Sequence, residues 1–198
     1  MAEMLLRDAM SKALREALDD DERCFLMGED IGAYGGAYAV TRGFLEKIPP
    51  IIIIREERPE DADEIFRIHE KAFSRREEAE LVKTLCRNDV PRLSLLALRE
   101  KQSVGHILFT QAWIGEDSRK VEGMGLAPLA VLPEFQRQGT GALLVHNGLK
   151  RLREGGCPFV MVLGCPAYYS RFGFRPASGY EVRCTWKVPE DAFQLLVL

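Results

Sequence analysis

A mixed α/β fold over residues 51–198, preceded by a helical and loop-like appendage over residues 1–50, is what the sequence predicts. Three observations carry this expectation. From Ile51 onward, strand-like and helix-like patterns follow in the order β-α-α-β-β-β-α-β-α-β-β. One apolar run, Met124 to Leu132, leads through a glycine-bearing turn directly into an amphipathic stretch. Before the Pro49-Pro50 break the chain is glycine-rich and carries net −4 (6 Lys+Arg, 10 Asp+Glu), whereas the remainder carries +1 (21 and 20).

Residues 4–18 place Leu6, Met10, Leu14 and Ala17 at helical spacing between charges, which predicts a helix. An acidic run ends it, residues 24–28 (CFLMG) read as a short buried strand, and the five glycines of residues 28–44 read as a loop. Ile51–Ile54 are β-branched and restart the chain as a strand. Pro59 and the acids after it open a helix with an Ile65, Ile68, Ala72 stripe; a second helix covers 75–87, with Leu81 and Leu85 inward. Strands at 94–100 and 103–114 are joined by a polar turn at Lys101-Gln102, and a loop at 115–123 leads to a strand at 124–132. Residues 139–156 form a helix with Ala142, Val145, Leu149 and Leu152 on one face, stopped by Gly155-Gly156. A buried strand at 159–164, one turn of helix with a strand start in 165–177, and a closing strand at 193–198 complete the chain.

The composition is that of a globular protein, 46% hydrophobic and 29% charged, which excludes disordered, collagen-like and nucleic-acid-coating classes. Neither part is basic enough to predict DNA or an anionic membrane as partner. No apolar run approaches the roughly 18 residues that cross a bilayer. The N-terminus lacks an apolar signal core, so the expected location is the cytoplasm. Five cysteines (Cys24, Cys86, Cys157, Cys165, Cys184) are unevenly spaced without a C-x-x-C pair, and His69, His106 and His146 do not cluster with them. No metal site or disulfide framework is expected, and the cysteines read as buried reduced thiols.

Chemistry concentrates at Leu129-Ala130-Val131-Leu132-Pro133-Glu134-Phe135-Gln136-Arg137-Gln138-Gly139-Thr140-Gly141: a strand, a Q-x-x-G-x-G turn, then a helix. Such a turn aims several unpaired backbone N–H groups at one spot, and the helix dipole favours an anion there. Gly139 and Gly141 admit a close backbone approach to phosphate, and Arg137 adds a cation. The same short pattern also occurs in plain helix-opening turns. A dinucleotide site is disfavoured, because G-x-G-x-x-G is missing.

This segment resembles motif A of the GNAT superfamily of acyl-CoA N-acyltransferases. Tyr169-Ser170-Arg171-Phe172-Gly173-Phe174 resembles the family's Y-x-[KR]-x-G-F, and Ser103-Val104-Gly105-His106-Ile107 its third strand. The likeness spans about residues 51–198. It implies the GNAT fold, a mixed central sheet flanked by helices, and an N-acetyltransferase that uses acetyl-CoA as co-substrate. It places the pyrophosphate on the turn Gln136, Arg137, Gln138, Gly139, Thr140 and Gly141, and the pantetheine arm beside Leu129, Ala130 and Val131. It implies direct attack by a primary amine of a small molecule or peptide, with Tyr169 as general acid toward the leaving thiolate and Tyr168 as fallback. Read from the residues alone, Tyr169 is a core aromatic beside Phe172 and Phe174.

No base is evident for the attacking amine. Glu122 reads as a solvated loop charge, His106 as a satisfied core histidine, and Cys165 lacks the partnered histidine that a nucleophile needs. A monomer and a homodimer both stay open. Residues 1–48, above all GEDIGAYGGAYAVTRG (28–43), resemble the N-terminus of the beta subunit of pyruvate dehydrogenase and related 2-oxo-acid dehydrogenases. That family's cofactor-contacting glutamate has no counterpart here, so thiamine diphosphate is not expected. Glycines 32–36 also read as a phosphate cradle, one that serves inside an assembly this chain lacks. The segment reads as a fused fragment and not as an independent domain. Two alternatives stand beside the enzyme: a non-catalytic acyl-CoA-binding module, and a dehydrogenase remnant that docks a partner subunit.

Overall fold

The computed structural model describes residues 5–20, 39–42, 44, 52–73, 80, 82, 84–85, 92–115 and 120–198. The chain divides into two units at the Pro50–Ile51 junction. In the first unit, α1 spans Leu6–Asp20. Its expected apolar stripe is not a buried one: Leu6 is 78% exposed, Met10 is 49% exposed and Ala17 is exposed too. Periodicity sets which side chains share a face, but only a partner surface buries them. Arg15 donates to the Arg42 carbonyl oxygen at 2.9 Å and lies 4.1 Å over the ring of Phe44, which is buried. The expected strand at 24–28 and glycines 32–36 lie outside the described residues.

The second unit is built on a seven-stranded sheet. Its strands are β1 (Ile52–Glu56), β2 (Arg92–Arg99), β3 (Gln102–Ile114), β4 (Val121–Val131), β5 (Phe159–Leu163), β6 (Arg175–Pro176) and β7 (Phe193–Val197), in spatial order β1-β2-β3-β4-β5-β7-β6. The β4–β5 pair is parallel, and the remaining neighbours are antiparallel. The sheet is mixed, as the sequence predicts. A crossover helix is what a parallel pair needs, and α3 (Thr140–Glu154) supplies it.

Helices cover both faces. On one, Leu144, Val145, Leu149 and Leu152 of α3 pack with Leu95, Ala97, Ile107 and Phe109. The buried α3 face thus includes Leu144 in place of the expected Ala142. On the other, Ile65 and Ile68 of α2 (Ala62–Phe73) pack with Leu96, Leu108, Ala130 and Leu132. With a helix on each side, Val104 to Phe109 of β3 are buried at every position, which is why that strand reads as a continuous apolar run. Of the second predicted helix, Glu80, Val82, Thr84 and Leu85 are described and helical; the rest of 75–87 lies outside the described residues.

Two boundaries differ from expectation. The β2–β3 hairpin turns at Glu100-Lys101, one residue early, with φ 50° and 70° at the two positions. A two-residue turn of type I′ needs positive φ at both. Strand β4 begins at Val121, three residues early, because Val121–Gly123 pair with Ala112–Ile114 at the far end of the long β3. Glu122 is therefore an exposed strand residue opposite Trp113 and not a loop residue. A pair of salt-bridging contacts fixes the start of α2: Arg55 meets both carboxylate oxygens of Asp61 at 2.6 and 2.8 Å, and Arg58 N–H donates to Asp61 at 2.7 Å. The Arg55 guanidinium holds the Asp61 carboxyl below the usual carboxylate range.

Candidate active site

The exit of β4 is pinned by Leu132, which is fully buried, and by one 3-10 turn at Pro133–Phe135. Two glutamines then hold the turn with their side chains. Gln136 Nε2 donates to the Val131 carbonyl (3.0 Å) and Gln138 Nε2 to that of Glu134 (2.9 Å), while Gln138 Oε1 accepts from Arg99 (2.7 Å). Arg137 and Gly139 both take left-handed conformations, φ 59° and 86°, which swing the chain into α3; the Arg137 side chain is exposed. The first bond of α3 runs from Leu143 N–H to the Gly139 carbonyl at 3.0 Å. The N–H groups of Thr140, Gly141 and Ala142 therefore have no partner within the helix and form the positive end of its dipole. Thr140 itself is buried. Gln136 and Gln138 are engaged in the turn, so the groups left unpartnered within the helix at this corner are backbone N–H.

Beside this turn the sheet opens. Pairing of β4 with β5 is confined to Met124–Leu126 against Val160–Val162, whereas β4 runs on to Val131. Where that pairing ends, the Ala127–Pro128 peptide is cis and the β3–β4 register shifts between Ile107 and Phe109. Leu129, Ala130 and Val131 stay paired to Ile107, His106 and Gly105 of β3. Their other edge has no ladder pairing with β5, and Leu129 and Val131 lie beside the first turn of α3. A strand edge presents N–H and C=O groups to whatever lies along it.

Two tyrosines line this region from α4 (Pro166–Tyr169), a short helix after β5. Tyr168 brings its hydroxyl to the first turn of α3. A Cβ added at Gly141 would stand 2.7 Å from that oxygen, with Val131 and Leu129 next nearest at 3.7 and 3.9 Å. The Tyr168 hydroxyl, the helix N-terminus and the end of β4 thus share one corner. Arg171 lies 4.4 Å over the Tyr168 ring. Tyr169 packs its ring on Gly164 at the end of β5 and edge-on against Tyr168 and Phe174, at 5.0 and 5.7 Å. Burial pushes its phenol up to about 12, so it holds its proton throughout the neutral range. Cys165 caps α4 through its carbonyl and is exposed, whereas Cys157 and Cys184 are half-buried. The expectation of buried thiols fails for Cys165, which is exposed, and is met only in part by Cys157 and Cys184; all three are free thiols. Among the described residues, no three His, Cys, Asp or Glu side chains are grouped to hold a metal, and no helix is long and apolar enough to cross a membrane.

Residue spacing did not reveal a chain of polar side chains beneath β4. His106, fully buried opposite Ala130, is bonded at both ring nitrogens: Nδ1 to His69 Nε2 (2.8 Å) and Nε2 to Ser94 Oγ (2.7 Å). Ser94 in turn donates to the Glu57 carboxylate. Burial holds His69 down to about 4 and His106 well below the usual imidazole range, so both rings are neutral. His106 is the satisfied core histidine the sequence suggests, but its partner His69 lies 37 residues away on α2. Only the packing of α2 on β3 unites them.

The description "Acetyltransferase (GNAT) domain" fits residues 53–177 of this chain. The chain belongs to the GNAT acetyltransferase family. It is an acyltransferase. The uncharacterized N-acetyltransferase YjhQ of Escherichia coli (strain K12) is 44% identical over 134 residues, 66% of this chain and 74% of that protein. The crystal structure of the E. coli GNAT family N-acetyltransferase YhbS in complex with CoA superimposes with a TM-score of 0.69 at 37% identity, covering 75% of this chain and 82% of that one. A Brucella melitensis GNAT family acetyltransferase in complex with acetyl-CoA gives 0.60 at 35% identity, covering 74% and 88%. A separate likeness, 47 residues long and 53% identical, is to the pyruvate dehydrogenase E1 component subunit beta of Staurastrum punctulatum. It takes in 24% of this chain and only 14% of that subunit.

Proposed function

We propose that residues 51–198 transfer an acetyl group from acetyl-CoA to a primary amine of a small molecule or peptide by direct attack. The observation that carries this reading is the end of β4–β5 pairing at Leu126, beyond which Leu129 and Val131 lie beside the N-terminus of α3. CoA and acetyl-CoA in the two related structures support it. In this reading the pyrophosphate takes backbone N–H groups of the turn from Gln138 to Gly141, with Arg137 beside it. The pantetheine arm lies along the free edge of Leu129, Ala130 and Val131 as an added strand. A backbone N–H there polarises the thioester carbonyl and steadies the oxyanion as the C–N bond forms. Tyr169, kept protonated by burial, meets the sulfur as the C–S bond breaks.

CoA release from acetyl-CoA, followed with a panel of amino-acid amides, diamines and peptides with free N-termini, tests the reaction. Amine-dependent release is the expected result. Tight CoA binding without turnover of any amine favours the non-catalytic binding module instead.

Residues 1–50 take no part in this proposal. They form a dehydrogenase-like appendage, and each element of the acyl site lies in 51–198. A chain starting at Pro50 is expected to bind acetyl-CoA with parent affinity and to melt near the parent temperature. Aggregation, or melting many degrees lower, would show that the appendage has become part of the fold. Co-purification of a dehydrogenase alpha subunit with the full chain, and not with the shortened one, would assign residues 1–50 a docking role.

A further inference from the structure

The polar chain under β4 has a direction that its chemistry fixes. A carboxylate only accepts, so the Ser94 hydroxyl proton points to Glu57. The Ser94 oxygen then accepts from His106, which puts the His106 proton on Nε2. In a neutral ring His106 Nδ1 is left bare and accepts from His69 Nε2–H. The sequence ends at His69 Nδ1, a bare lone pair that is fully buried and, among the described residues, has no hydrogen-bond partner. The opposite polarity would require a protonated Glu57, or its oxygen and the serine oxygen would meet lone pair to lone pair.

The two ends differ in setting. Glu57, half-buried where β1 leads toward α2, reaches solvent. His69 sits stacked on Phe73, its ring 6.0 Å away and nearly parallel, on the face that Ala130 and Leu132 of β4 also line. Among the described residues Asp61, paired with Arg55, also acts on His106. The neighbours contributed by β4 and by residues 82 and 85 are apolar. A bare acceptor left in such surroundings is costly unless a donor arrives.

We propose that His69, His106, Ser94 and Glu57 form a proton relay that takes the proton shed by the acceptor amine at His69 Nδ1 and carries it to Glu57. This rests on the acetyl-transfer reading above. As the amine nitrogen bonds to the acetyl carbon, its N–H proton passes to the enclosed His69 Nδ1 through a water admitted with the acceptor. The His69 Nε2 proton moves to His106 Nδ1, the His106 Nε2 proton to Ser94, and the Ser94 proton to the Glu57 carboxylate. No buried ring is left charged, which suits two imidazoles whose protonated forms burial disfavours. The relay resets by running backward. Tyr169 gives its proton to the departing sulfur and takes a new one from solvent, while His69 Nδ1 releases the returning proton to solvent once the product has left, so each cycle breaks one N–H bond and forms one S–H bond.

Two measurements on the full chain decide this. Nitrogen-15 spectra of histidine-labelled protein near neutral pH are expected to show both His69 and His106 as neutral Nε2–H tautomers. An Nδ1–H tautomer at His69, or a charged ring at either position, overturns the relay whether or not any amine is acetylated. With an amine that the panel identifies, Glu57→Gln and His69→Gln are expected to lower kcat about 10²-fold near neutral pH. Gln at 69 keeps a donor for His106 Nδ1 but cannot pass a proton. The deficit is expected to shrink as the pH rises and hydroxide takes over as acceptor of the same proton. A loss of equal size at every pH, or none, overturns the proposal. Failure of every amine to react counts against the proposed function, while the tautomers still decide the polarity of the chain.

Discussion

Gly139→Glu and Gly141→Glu are each expected to weaken CoA binding by at least about 100-fold, or about 2.7 kcal/mol. The causes differ at the two sites. At Gly139 an added Cβ meets no atom within 4 Å, so the penalty is not a clash. It comes from forcing a side chain onto a backbone with φ 86°, at about 1–2 kcal/mol, and from setting a carboxylate where phosphate should sit. At Gly141 the side chain would meet the Tyr168 hydroxyl 2.7 Å away and fill the corner between α3 and the end of β4. Gly139→Ala separates the two causes, since it adds the strain without the charge, and it should keep most of the affinity. Titration calorimetry with CoA reads all three variants, and circular dichroism checks that each is folded. Parent affinity in both glutamate variants would remove the turn from the binding site.

Tyr169→Phe is expected to lower turnover about 10²- to 10⁴-fold while leaving stability and CoA affinity near the parent values. The ring contacts with Gly164, Tyr168 and Phe174 survive the change, and only the proton donor is lost. Because burial raises the phenol to about 12, the neutral, donating form persists up to that pH. Ionisation of Tyr169 therefore should not cause an alkaline fall in activity below about pH 11. Tyr168→Phe is the informative comparison. Its hydroxyl sits nearer Gly141, so a larger loss of turnover there would move the donor role to Tyr168.

The repeating patterns explain how much of this was legible. The succession of elements along the chain from Ile52 to Val197 follows from period-2 and period-3.6 spacing, and the strand–turn–helix at 124–154 from its glycines and apolar faces. The hairpin at Glu100-Lys101 was misplaced because neither residue is the Gly or Asn that usually marks positive φ. Val121 to Gly123 looked like loop because a valine, a glutamate and a glycine show no apolar alternation; their pairing is imposed by the length of β3. Within the proposed site, the turn at 136–141 stands out locally by its glycines, whereas the role proposed for Tyr169 rests on the family resemblance and not on its spacing. The opening between β4 and β5 could not, since two apolar strands do not say where their pairing stops. Nor could the Glu57–Ser94–His106–His69 chain, whose members lie on β2, β3, α2 and the segment after β1 and meet only through tertiary packing.

A crystal structure of the full chain with acetyl-CoA tests the proposed site most directly. The expected result is a pyrophosphate with oxygens about 3 Å from backbone nitrogens between Gln138 and Gly141, and a pantetheine arm along Leu129 to Val131 with the sulfur facing Tyr169. Acetyl-CoA bound with its pyrophosphate away from the N-terminus of α3, or its thioester outside the β4–β5 opening, would contradict it.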